Sequence, residues 1–157
     1  FSFNRLKRVV FKGKSQLEEN GGDSFGCNEL TSFRVPLNVK KIGKLAFSDI
    51  HEFKELELTS NKLPEVGRDI FFRKIERIII PSDLIITEED IKLKKYLSLA
   101  QEIMIKQRGE ENIKYIQNSQ LIIGRTHSNH NFSILYFANK KIKKAKVPSF
   151  IEVIVNI

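Results

Sequence analysis

With one cysteine, Cys27, the chain cannot close an internal disulfide. No His lies close to Cys27 in sequence to act as a base, which favours a small buried hydrophobe over a nucleophile. No stretch approaches the roughly 18 uninterrupted apolar residues of a membrane-spanning helix. No basic-then-apolar segment opens the chain either. The signatures of catalysis are also missing: there is no Gly-rich phosphate cradle, no Ser nucleophile elbow and no His-Glu-x-x-His helix. Of the three histidines, His51 stands apart, while His127 and His130 share a turn-rich run, residues 124–131, with no second cluster to complete a metal site. The acid groups Glu18-Glu19, Glu88-Glu89-Asp90 and Glu110-Glu111 fall in polar stretches. General acid–base work needs a carboxyl shifted by burial or by a close like charge, and these groups read as surface. The expectation is a protein that is not an enzyme and takes no metal or cofactor.

What the chain does contain is a repeat. Leu6, Leu30, Phe53 and Ile75 each open the pattern apolar-x-x-apolar-x-apolar, completed by Val9 and Phe11, Phe33 and Val35, Leu56 and Leu58, and Ile78 and Ile80. The third members succeed one another at 24, 23 and 22 residues, the period of leucine-rich-repeat solenoids. Gly21, Gly43 and Gly67 run in phase, each four residues before an aromatic: Phe25, Phe47 and Phe71. Each Gly marks either a place where a side chain would clash or one where φ must be positive. Each Phe fills the interior. A third series, Cys27, Ile50 and Phe72, is expected to supply a further core position.

The wording of the unit is more specific than its length. Val35-Pro36-x-x-Val39-x-x-Ile42-Gly43-x-x-Ala46-Phe47 resembles the unit of BspA-like leucine-rich-repeat proteins, and Phe25, Cys27 and Leu30 supply that family's closing piece, which also places a Cys at this position. Val147-Pro148-x-x-Ile151-x-x-Ile154 reopens the phrase. The resemblance covers residues 3–105 and 142–157. Two departures stand out: after Pro81 the unit has no Ile-Gly and no Ala-Phe, and Val155 stands where Gly is expected. It implies a noncatalytic scaffold for protein–protein interaction. Such proteins occur in oral bacteria and parasitic protists, where the family is associated with cell-surface adhesion.

The expected fold is therefore a β-rich α/β leucine-rich-repeat solenoid of short parallel strands, interrupted by an antiparallel β insertion. Residues 1–105 form the solenoid: four units with one strand each, a short helix over residues 88–99 with acids at its N-terminal end, and a fifth strand at Ala100, Ile103 and Ile105. Residues 106–139 form the insertion, with apolar runs at 113–116, 121–123 and 134–137 separated by turn composition. Residues 140–157 resume the repeat path. A start without Met and a stop inside a repeat suggest a piece of a longer protein.

Strand periodicity then points to a surface. If Val9 and Phe11 face inward, Arg8 and Val10 face out, and stacking aligns Arg8, Ser32, Glu55 and Arg77 in one row and Val10, Arg34, Glu57 and Ile79 in the next. A protein partner is expected on this face, with Arg8, Val10, Arg34, Glu55, Glu57, Arg77 and Ile79 as its contacts. The net charge of +8 is uneven, and Lys140, Lys141, Lys143, Lys144 and Lys146 offer an alternative, a polyanion site for nucleic acid or heparin-like chains near Tyr136 and Phe137. Ile142 and Val147 interrupt that run at core-like positions, which fits a solvated face equally well.

Overall fold

A computed structural model describes residues 1–85, 95–96, 98–116, 121–125, 132, 134–138 and 146–154. The repeat is seen there as parallel pairing. On the return side β1 (Glu19–Asn20) pairs with β3 (Lys41–Ile42), and β3 with β5 (Glu65–Val66). The main parallel sheet has the order β2 (Ser32–Val35), β4 (Glu55–Leu58), β6 (Ile75–Pro81) and β7 (Ala100–Lys106). Its strands form because apolar residues alternate with polar ones: Phe33, Val35, Leu56, Leu58, Ile78 and Ile80 point inward and are buried. Successive strands are one repeat apart, so equivalent side chains stack in the same register.

Between the two parallel sheets runs a column of aromatic rings. Phe25, Phe47 and Phe71 stack at 5.8 and 5.7 Å, with Phe33 and Phe53 wedged against them at 4.8 to 5.2 Å. Each such pair contributes about 0.5–1.5 kcal/mol beyond its area burial. Phe1 extends the column, lying parallel on Phe25 at 5.9 Å. Gly43 and Gly67 are explained by close approach rather than by φ. A Cβ on Gly43 would lie 2.5 Å from the Gly21 backbone, and one on Gly67 would lie 2.6 Å from that of Gly43. Positive φ falls instead on Asp23, Leu45 and Asp69, two residues after each Gly, and on Cys27 and Asp49. There the backbone turns so that Asp23, Phe25 and Cys27 donate to the carbonyls of Lys44, Ala46 and Ser48 one repeat on.

Several expectations are corrected. Residues 6–11 form no strand, although Leu6, Val9 and Phe11 still pack on the core. Their backbone is fixed by other means: Leu6 carbonyl accepts the Glu29 N–H and Leu6 N–H donates to the Asn28 side chain. The third apolar series was out of phase. Phe72 is 81% exposed and Cys27 half-buried; Cys27 and Asp49 share a left-handed backbone, and the residues after them, Asn28 and Ile50, are the buried ones. Of the expected helix, Lys95, Tyr96, Ser98 and Leu99 are helical, and residues 86–94 and 97 lie outside the described residues. Tyr96, 25 residues after Phe71, fills the interior of this unit and donates its hydroxyl to the Pro64 carbonyl at 3.2 Å.

Beyond β7, β8 (Ile113–Ile116), β9 (Leu121–Gly124) and β10 (Ile134–Ala138) pair antiparallel. Ile113 and Ile122 complete the solenoid core, whereas Leu121 and Ile123 pack with Phe132 and Ile151 in a second, smaller one. The chain's last described strand, β11 (Val153–Ile154), does not return to β7. It pairs in parallel with β10, where Ile134 meets Val153 19 residues later. That spacing is close to the repeat period, so parallel stacking restarts from β10.

Candidate protein-binding face

Alternation in β2, β4, β6 and β7 leaves every second side chain pointing away from the core, and register sorts these into two rows. One is Ser32, Glu55, Arg77 and Glu102; the other is Arg34, Glu57, Ile79 and Met104. The charges interlock across strands. Arg34 Nε lies 3.5 Å from Glu57, Lys106 Nζ reaches the same carboxylate at 2.7 Å, and Arg77 stands 3.8 Å from Glu55. Glu57 is held between two cations with its side chain only 17% exposed, while Arg34 keeps 68% of its side-chain surface in solvent. Arg77 also points a guanidinium N–H at the Met104 sulfur, 3.7 Å away. The face is thus mixed. Charged residues stand on all four strands, and among them the partly exposed Ile79 and Met104 form an apolar pair on β6 and β7.

Five of the seven expected contact residues, Arg34, Glu55, Glu57, Arg77 and Ile79, come together on this sheet. Arg8 and Val10 are exposed but lie on the irregular segment before it. Glu102, Met104 and Lys106 were not anticipated. Extending the same alternation to β7 would have found them, since Ala100, Ile103 and Ile105 already mark that strand's inner phase.

The return side repeats the charge pattern: Lys40 meets Glu18 and Lys41 meets Glu19, each at 3.0 Å, and Lys41 also registers with Glu65. The hydrogen bond to Glu19 raises the Lys41 pKa above the ordinary lysine range. A cleft of about 500 Å³, lined in part by Glu18, Leu37, Lys40 and Leu63, lies open to solvent on one flank. Among the described residues no three His, Cys, Asp or Glu side chains gather into a metal site. His127 and His130 lie outside the described residues, as do Lys140, Lys141, Lys143 and Lys144. Lys146 is described and exposed.

Parallel strands stacked once per repeat around an aromatic column define a leucine-rich-repeat solenoid, a scaffold whose surface rows are set by its period. The chain belongs to the BspA-type leucine-rich repeat family, whose model matches six copies over residues 1–98 and 21–156. No curated protein and no solved structure matches it.

Proposed function

We propose that this scaffold is noncatalytic and binds a partner protein through the outward rows of β2, β4, β6 and β7, in keeping with a role in cell-surface adhesion. The observation that carries the reading is the combination, on that face, of a solvated cation and a partly exposed apolar pair. Arg34 offers a largely solvated guanidinium beside a neutralised carboxylate, and the Ile79–Met104 pair offers apolar area a short way across the sheet. Interfaces draw their energy from such combinations, with Arg and Met enriched over Lys and Glu. A repeat scaffold favours this use, because its core lies between units and leaves the outward positions free to vary.

The test is the affinity for a partner captured by crosslinking, measured for variants of Arg34 and Arg77. These should be glutamine substitutions. Arg34→Glu would set a second carboxylate against Glu57, and Arg77→Glu would do the same to Glu55, confusing lost binding with cross-strand repulsion.

A further inference from the structure

Positive charge is not spread along this molecule. Residues 1–17 contain five basic side chains, Arg5, Lys7, Arg8, Lys12 and Lys14, and no acid, whereas the remainder holds 22 basic against 19 acidic residues. Within the regular repeats many cations are matched by acids one repeat away, Arg34 with Glu57, Arg77 with Glu55, Lys54 with Glu76 and Lys41 with Glu19, and Lys106 reaches Glu57 two strands across. In the first unit such matching is mostly missing. The residues 24 positions after Arg8 and Lys12 are Ser32 and Pro36, which carry no charge, and the residue 24 after Val10 is Arg34. Lys7 reaches Glu29 at 3.9 Å. Among the described residues Arg5, Arg8, Lys12 and Lys14 have no ion-pair partner, and all four are exposed.

The segment that carries them is nonetheless anchored. Leu6, Val9 and Phe11 pack on the core, and Phe11 meets Phe33 edge-on at 5.9 Å. Asn28 is buried, donates to the carbonyls of Phe1 and Phe25 at 2.9 Å each, and accepts the Leu6 N–H at 3.1 Å. Arg8, Val10 and Lys12 therefore project at alternate positions from a held backbone, and Val10 between the two cations is 64% exposed.

We propose that residues 5–14 form a reading strip for an extended acidic segment of a protein partner. Carboxylates at alternate positions of that segment meet Arg8 and Lys12, and an apolar side chain between them rests on Val10. Charge complementarity supplies the attraction, and the apolar centre distinguishes a peptide from a phosphate or sulfate polymer. The strip's one aromatic, Phe11, is turned onto Phe33 and is not free to stack on bases. The inference deepens the reading of the protein as an interaction scaffold and rests on it.

The experiment uses the full chain and a fluorescent peptide alternating glutamate with valine, titrated at low and moderate salt beside a single-stranded oligonucleotide and a heparin oligosaccharide of equal charge. The peptide should bind, with affinity falling as salt rises. The double variant Arg8→Gln/Lys12→Gln should weaken it by about tenfold, and Lys40→Gln/Lys41→Gln, which removes paired cations, by less than about twofold. Val10→Ser should weaken the peptide and leave the oligonucleotide unchanged. Absence of peptide binding at low salt, equal losses in the two double variants, or tighter binding of the oligonucleotide or heparin with no effect of Val10→Ser would each overturn the proposal. Loss of the crosslinked partner in the Arg34 and Arg77 variants, alongside such a failure, would leave the broader reading standing.

Discussion

The hydroxyl of Ser82 donates to the Arg108 carbonyl and accepts the Arg108 N–H, both at 2.9 Å. Ser82 is fully buried, its own N–H donates to the Lys106 carbonyl, and its carbonyl accepts the N–H groups of Asn112 and Ile113. Asp83 beside it holds the Arg108 guanidinium by two nitrogens at 3.0 and 3.2 Å. The period fails at this point in sequence, and the main chain is rebuilt around one serine. Ser82→Ala would leave two backbone groups of Arg108 without their partner, a loss of about 1–3 kcal/mol. Urea unfolding measures it; a change under about 0.5 kcal/mol, the level of an ordinary surface substitution, would count against this role.

The glycine series separates close approach from sequence habit. Gly67→Ala would push a methyl group into the backbone of the preceding unit, whereas a Cβ on Gly21 meets nothing within 4 Å. Gly67→Ala is expected to cost about 1–3 kcal/mol through overpacking. Gly21→Ala should be neutral or slightly stabilising, by up to about 1 kcal/mol through the unfolded chain. Thermal denaturation of the two variants side by side decides it, and similar losses in both would be the wrong result.

Asn20 shares its inward row with Ile42 and Val66. Its side-chain oxygen accepts the Ser24 hydroxyl, but its buried Nδ2 has no partner among the described residues. Asn20→Val restores the row's apolar character and removes an unsatisfied donor, so it should stabilise by about 1 kcal/mol. A clear loss of stability would show that the amide is satisfied in solution.

Burial pushes the Tyr96 hydroxyl well above the ordinary phenol range. A folded-state pKa above the unfolded one means that this group's stability contribution is complete below about pH 10 and is lost as pH rises beyond it. Lys41, raised by its hydrogen bond to Glu19, acts in the same sense from a similar pH. Tyr96→Phe should flatten the alkaline decline, at a cost of about 1 kcal/mol for the bond to Pro64. Unfolding midpoints between neutral and strongly alkaline pH give the comparison; an unchanged decline in Tyr96→Phe and a flattened one in Lys41→Gln would assign it to the lysine.

The solenoid was legible because its signals are periodic. Phe25, Phe47 and Phe71 recur in phase with Gly and with the strand residues, and a stacked fold must place like on like. What escaped was aperiodic or arrived through local geometry. The strand expected around Val9 and Phe11 does not form, because an apolar pattern places side chains inward without requiring a ladder of hydrogen bonds. Cys27 looks apolar, yet a left-handed backbone there leaves the inward place to Asn28, and Phe72, next to the buried Phe71, points into solvent. Tyr96 sits four residues before β7 as Phe71 sits four before β6, but no Gly announces it. Of the candidate face, the rows through Glu55 and Glu57 could be read from spacing. That Glu57 is pinned between Arg34 and Lys106 could not, since Lys106 lies 49 residues away in the chain and two strands across.

The central claim, that the outward rows of the main sheet bind a protein, is tested most directly by the affinity of the crosslinked partner for Arg34→Gln/Arg77→Gln, set against Lys44→Gln/Arg68→Gln. Lys44 and Arg68 are exposed beside the return-side turns. With folding stability checked in parallel, the account predicts a loss of about tenfold or more for the first pair and almost none for the second. Unchanged affinity in the first pair, or an equal loss in both, would contradict it.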